Sequence, residues 1–166
     1  MVTIDLIRVN ANALYTVKPA PYAELSYMLT TDYGVNYTIS FMPSDLMPEY
    51  DAYEFAISNT NNRKFLRDYK LRQTILSLIY EFFRQRNAVM LYLCETGDNR
   101  RNIGAVCLNR GSAGYQKTFV LMTAELPDEY GIWNYVALIL RPDHPLFVSI
   151  AQQFSDTIAL FRDKPE

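Results

Sequence analysis

The sequence predicts an α+β fold: a single, mostly antiparallel sheet of about six strands with helices packed on one face. Three observations carry this. Short runs that alternate apolar and polar residues follow one another directly, two longer stretches gather their apolar residues on one helical stripe, and the helices fall between blocks of strands. The chain has 166 residues, 49% of them hydrophobic and 20% charged, which suits one soluble globular domain over 1–166. A chain of this length buries roughly 70% of the surface its unfolded form exposes, enough for a core without metals or disulfides.

Leu25, Tyr27 and Leu29 alternate with Glu24, Ser26 and Met28, and beyond Asp32-Tyr33-Gly34 the series Val35, Tyr37, Ile39, Phe41 alternates with Asn36, Thr38 and Ser40. This is a β-hairpin with one wet face, turning where Asp and Gly tolerate positive φ. A loop through Pro43 and Met47-Pro48 leads to a third strand, Tyr53, Phe55 and Ile57. Residues 1–19 form an N-terminal extension in which 2–9 read as an extra strand, so the core runs from about 20 to 161. After Asn59-Thr60-Asn61-Asn62 the period becomes helical over about 65–86, with Leu71, Ile75, Leu78, Ile79, Phe82 and Phe83 on one stripe.

Ala88 to Cys94 is apolar at every position, as in a central strand covered on both faces. A polar run, Glu95 to Asn102, precedes a short helix over 103–110, although a turn leading into a strand also fits these residues. Residues 118–124 and 132–140 read as two more strands. Phe147, Ile150, Ala151, Phe154, Ile158 and Phe161 mark a terminal amphipathic helix whose first turn suits Pro145.

Cys94 and Cys107, with twelve residues between them, match neither zinc-ligand spacing nor a CxxC redox pair. The single histidine, His144, excludes any site needing two from one chain. Met1 to Arg8 shows no basic leader followed by an apolar region, and no stretch approaches bilayer-spanning length; a cytoplasmic protein without membrane contact is expected. From Arg63 to Arg110 there are ten basic residues against four acidic ones, while the chain as a whole is at -2. Such a block either attracts an anion or is neutralised by the protein's own acidic ends.

The segment from Glu95 to Arg101 leaves the end of the central strand, and strand ends of open sheets border ligand crevices. Thr96 or Asp98 would cap the following helix, leaving Arg100 and Arg101 to grip a carboxylate or phosphate. Alternatively, Glu95 or Asp98 pairs with one of the arginines and only pins the loop. Arg63, Lys64, Arg67 and Lys70 would widen the positive field if they fold to the same side.

The run Tyr92-Leu93-Cys94-Glu95-Thr96-Gly97-Asp98-Asn99-Arg100, placed after a helix ending in Phe82-Phe83, resembles a group of short bacterial proteins classed as a domain of unknown function. In that group a Tyr-x-Cys-Asp-Thr-x-Asp-like run follows a helix that ends in two aromatics. Tyr53 to Ile57 and Arg141-Pro142-Asp143-His144-Pro145 extend the resemblance over about 20–160. This chain departs from the group with Glu95 in place of Asp, Asn99 in place of Gly, and Leu108-Asn109-Arg110-Gly111 in place of a more aromatic helix end. The resemblance implies a fold family and no activity.

Nucleophilic catalysis would need Cys94 or Cys107 beside His144, but Cys94 closes an apolar strand and reads as a small buried hydrophobe. Carboxylates for hydrolysis (Glu95, Asp98, Glu125, Asp128, Glu129) have no spacing that requires them to converge. Tyr27, Tyr37, Phe41, Tyr53 and Phe55 share the periodic face and belong to the core rather than to a base-stacking surface. The hairpin edge over 22–42 offers backbone groups to a second copy or a protein partner. The sequence therefore points to binding, with no cofactor and no catalytic residue. Its partner is a protein or a second copy, or an anion or nucleic acid at Glu95, Thr96, Asp98, Arg100 and Arg101. The alternative is a nucleotide- or nucleic-acid-processing enzyme holding a divalent metal on Glu95 and Asp98.

Overall fold

The computed structural model describes residues 3–61, 68–84, 86–95 and 119–163. The strands are β1 (Lys18–Pro19), β2 (Ser26–Thr30), β3 (Asn36–Pro43), β4 (Ala52–Asn59), β5 (Val89–Glu95), β6 (Val120–Pro127) and β7 (Trp133–Leu140). The described helices are α1 (Leu6–Asn12), α2 (Tyr69–Arg84) and α3 (Phe147–Arg162). One seven-stranded sheet runs β1-β2-β3-β4-β5-β7-β6. Every neighbouring pair is antiparallel except β4 and β5, which are parallel and therefore need the crossover that α2 provides. The α+β class holds, with a mixed sheet one strand larger than expected.

The helices cover both faces of the sheet rather than one. Met90, Tyr92, Ala137 and Ile139 belong to the core beneath α2, with Leu71, Ile75, Leu78, Ile79 and Phe82. Val89, Leu91, Val136, Leu138 and Leu140 point the other way and are covered by Ile150 and Phe154 of α3. Strands apolar at successive positions would leave one face wet under a one-sided arrangement, so the helix after β7 has to close it. On the α2 face the expected aromatics are buried. Phe82 stacks on Phe41 at 4.8 Å and meets Tyr53 and Phe83 edge-on, each at 5.3 Å.

Of the extra strand expected over 2–9, the described residues 3–9 form none. Asp5 accepts bonds from the amides of Ile7 and Arg8 and so caps α1, a helix that buries Val9 and leaves Ile7 85% exposed. The buried core also reaches below residue 20, taking in Ile4, Val9, Tyr15 and Val17. The added strand is β1, pairing Lys18 with Met28 and Pro19 with Tyr27. It therefore closes part of the outer edge of the 22–42 hairpin, whose other strand, β3, lies between β2 and β4. The hairpin turn is as expected, with Gly34 at φ 71°. Pro145 lies just outside α3 rather than in its first turn, since Leu146 is the N-cap. The helix or strand expected over 103–110 lies outside the described residues.

Candidate functional site

β4 and β5 pair from Ala52–Val89 to Phe55–Tyr92, and beyond that point no ladder joins them, although β4 continues to Asn59 and β5 to Glu95. Each is held on its other side, β4 by β3 and β5 by β7, so the two parallel strands part towards their carboxyl ends. In open sheets ligands bind in crevices outside the carboxyl ends of the strands, and the parting lies at such an end, although the strand order reverses only beyond β5, at β7 and β6.

On the α3 face, beside this parting, lies a cleft of about 750 Å³. Its floor is Leu91 and Leu93 of β5, Val136 and Asn134 of β7, and Leu126 of β6; Phe154, Thr157, Ile158, Phe161 and Arg162 of α3 form one wall. Leu46 and Met47 of the β3–β4 loop border it, and the β6–β7 turn, Pro127 to Gly131, closes the end. The local sequence explains the shape. Ile150, wholly buried, and Phe154 seat the first half of α3 on the sheet, whereas Leu160 is 72% and Phe161 43% exposed in its last turn. The β6–β7 turn is fixed by Asp128, whose Oδ1 accepts from the amides of Tyr130 (2.9 Å) and Ile132 (2.8 Å), and by Gly131 at φ 76°. On the loop wall, Glu49 accepts a bond from Gln153 of α3 at 2.8 Å, which holds its carboxyl below the ordinary range.

Of the expected site residues, Glu95 is the last residue of β5, its backbone paired opposite Asn134. Thr96, Asp98, Arg100 and Arg101 lie outside the described residues, as do Arg63, Lys64 and Arg67. The described cations of the basic block are engaged within the fold. Lys70 pairs with Asp32 at 2.7 Å, Arg84 makes a two-pronged bond with the buried Glu81, Arg86 lies over the rings of Tyr53 and Phe82, and Arg72 over Tyr69. At Lys70 and Arg84 the block is neutralised internally, whereas Arg72 and Arg86 rest on aromatic rings and keep their charge. The start of α2 is closed too: Asp68 accepts from the amides of Lys70 and Leu71, and also from the Tyr15 hydroxyl at 2.7 Å. Burial first, and that bond second, push Tyr15 up to about 12.

His144 is buried with Nδ1 accepting from the Leu146 amide at 3.0 Å, so Nε2 carries the proton given to the Asn87 carbonyl. With both nitrogens committed to backbone, the ring is no base for Cys94, which is buried in the core on the α2 face. Among the described residues no group of three or more His, Cys, Asp or Glu is arranged to hold a metal. No described helix is long and apolar enough to cross a membrane. The cleft was not legible in the sequence as a site. Leu46, Leu93, Asp128 and Phe161 are far apart in the chain, and the one local signal was an aromatic, Phe161, in the last turn of an otherwise wet helix end.

Fold and cleft together define a mixed-sheet α+β protein with a ligand-sized recess at the carboxyl end of its parallel strand pair. Residues 58–156 match the model of a family described as Family of unknown function (DUF6169), and the chain belongs to that family. No curated protein matches the chain. Among solved structures it is similar to the N-terminal domain of ribosomal-protein-alanine acetyltransferase from Clostridium acetobutylicum, with 13% identity and a TM-score of 0.38 over 78% of this chain and 92% of that one. A likeness at that level fixes neither fold nor activity.

Proposed function

We propose that this protein works by binding a small molecule whose apolar part lies between the sheet and the last two turns of α3. The observation that carries this is the cleft of about 750 Å³ at the end of β5. Its volume falls within the roughly 300–1,000 Å³ of small-molecule sites, and it has their composition, apolar walls with a few polar groups at the rim. Its place at the carboxyl end of β5, past the last residue paired with β4, is the second support. A small molecule is preferred to a protein partner because the hairpin edge that would recruit one is partly closed by β1. A reducing compartment suits Cys94, buried and free of any disulfide.

Binding of phenylbutanol, a neutral probe with an apolar body, tests the reading by calorimetry and thermal shift. A ligand that binds only the folded state stabilises it by about 2.7 kcal/mol at a hundredfold excess over Kd, so saturable binding and a raised Tm are expected. Binding that survives unchanged when the floor is blocked by Val136→Trp, in a variant that still unfolds cooperatively, would overturn the assignment.

A further inference from the structure

We infer that the ligand of this cleft is a cationic amphiphile, an apolar body carrying an ammonium or guanidinium head at the β6–β7 turn. The inference rests on the cleft being a binding site and adds the sign of the ligand's charge. The described segments that border the cleft carry Asp45 and Glu49 in the β3–β4 loop, Asp128 and Glu129 at the β6–β7 turn, and Asp163 after α3. The one cation they carry is Arg162, which lines the cleft and gives a bond to the Glu125 carbonyl at 3.3 Å, so these segments remain net negative. The described ion pairs, Arg8–Asp5, Lys70–Asp32, Arg84–Glu81 and Arg141–Asp143, use none of these carboxylates.

The hydrogen-bonding capacity at the rim points the same way. Asp128 spends Oδ1 on two backbone amides and keeps Oδ2, Glu129 is exposed on the next residue, and Asn134 gives its side-chain N–H to the Ile132 carbonyl, leaving Oδ1 to accept. Three acceptors at one end of an apolar recess call for a head group that donates. The carboxyl end of α3, where the helix dipole is negative, adds to the same field. Apolar walls select the body, and the rim selects the charge.

Three probes with one apolar body separate these elements: phenylbutylamine, phenylbutanol and phenylbutyrate, measured by calorimetry at low and high salt. An exposed carboxylate changes the affinity of a charged group by up to about fivefold, and attraction of the amine acts together with repulsion of the acid, so the amine is expected to bind about tenfold tighter than the acid. The gap should narrow at high salt. In the double variant Asp128→Asn, Glu129→Gln it should close to about twofold while phenylbutanol binds as before, since Asn retains the oxygen that holds the turn. Equal binding of amine and acid, or preference for the acid, overturns the charge assignment while leaving the cleft as a site. Absence of binding by all three, phenylbutanol included, overturns the cleft itself and the inference with it.

Discussion

Leu93→Ala separates a residue that serves the ligand from one that serves the core. Leu93 lies on the cleft floor and is 42% exposed. Fully burying a leucine side chain contributes about 1.5–3 kcal/mol, so a ligand covering the exposed part gains roughly 1 kcal/mol from it and about as much from its own matching surface. Truncation should therefore weaken phenylbutanol binding by about 1–2 kcal/mol, roughly 5- to 30-fold in Kd. The part already buried is a little over half, and its loss should cost the fold about 1–2 kcal/mol, a measurable but tolerable drop in urea midpoint. Leu160→Ala is the control, because Leu160 is 72% exposed on the same helix end and does not line the cleft. Calorimetric titration of wild type and both variants decides the matter. An unchanged Kd in Leu93→Ala, or an equal loss in Leu160→Ala, would refute the placement of the ligand.

Phe82→Ala removes a 2% exposed ring that contacts Phe41, Tyr53, Phe83 and Arg86, and should destabilise the protein by about 3–5 kcal/mol in urea unfolding. Tyr15 provides a test at alkaline pH. Its hydroxyl is held at about 12 against an ordinary value near 10, so the fold stabilises the neutral form. That stability is complete below the unfolded value and is lost as pH climbs through the folded one, so the Tm of wild type should fall between about pH 10 and 12. Tyr15→Phe should flatten that limb. Gly131→Ala should cost about 1–2 kcal/mol because φ 76° disfavours an L side chain even where nothing crowds the Cβ, and Gly131→Asn should recover part of the loss. Thermal melts of the two variants check it.

The sheet was legible where one face is wet and illegible where it is not. The period-two runs at 25–29 and 35–41 placed β2 and β3 to within a residue or two, because half-burial writes itself into alternation. β1 consists of Lys18 and Pro19, too short to carry any period. The alternation of Val2, Ile4 and Leu6 imitated a strand until Asp5, a capping residue in their midst, turned the chain into a helix. The side of the sheet that each helix takes is a tertiary fact. Yet the unbroken apolar run of β5 already required a cover on both faces, which is incompatible with helices on only one. The cleft depends on where α3 rises from the sheet, and no residue pattern states the angle of a helix.

The expectation of an anion grip at Arg100 and Arg101 and the inference of a cationic ligand make opposite demands on one double variant. Residues 96–101 follow β5 in the sequence, and Leu93, two residues before the end of that strand, forms part of the cleft floor. At about 3.3–3.6 Å per residue, a chain spans at most roughly 25 Å from Leu93 to Arg100, within reach of a ligand in the cleft. If the two arginines hold an anionic ligand, Arg100→Ala with Arg101→Ala should abolish phenylbutyrate binding and leave the amine unaffected. If the cleft selects a cation, the same variant takes two positive charges from the chain and should bind phenylbutylamine as tightly as wild type or a few-fold tighter at low salt. Calorimetry on the folded variant reads both outcomes. A weakened amine would show that the polar loop supports the cation through some contact other than charge, and would refute the electrostatic account of selectivity given above.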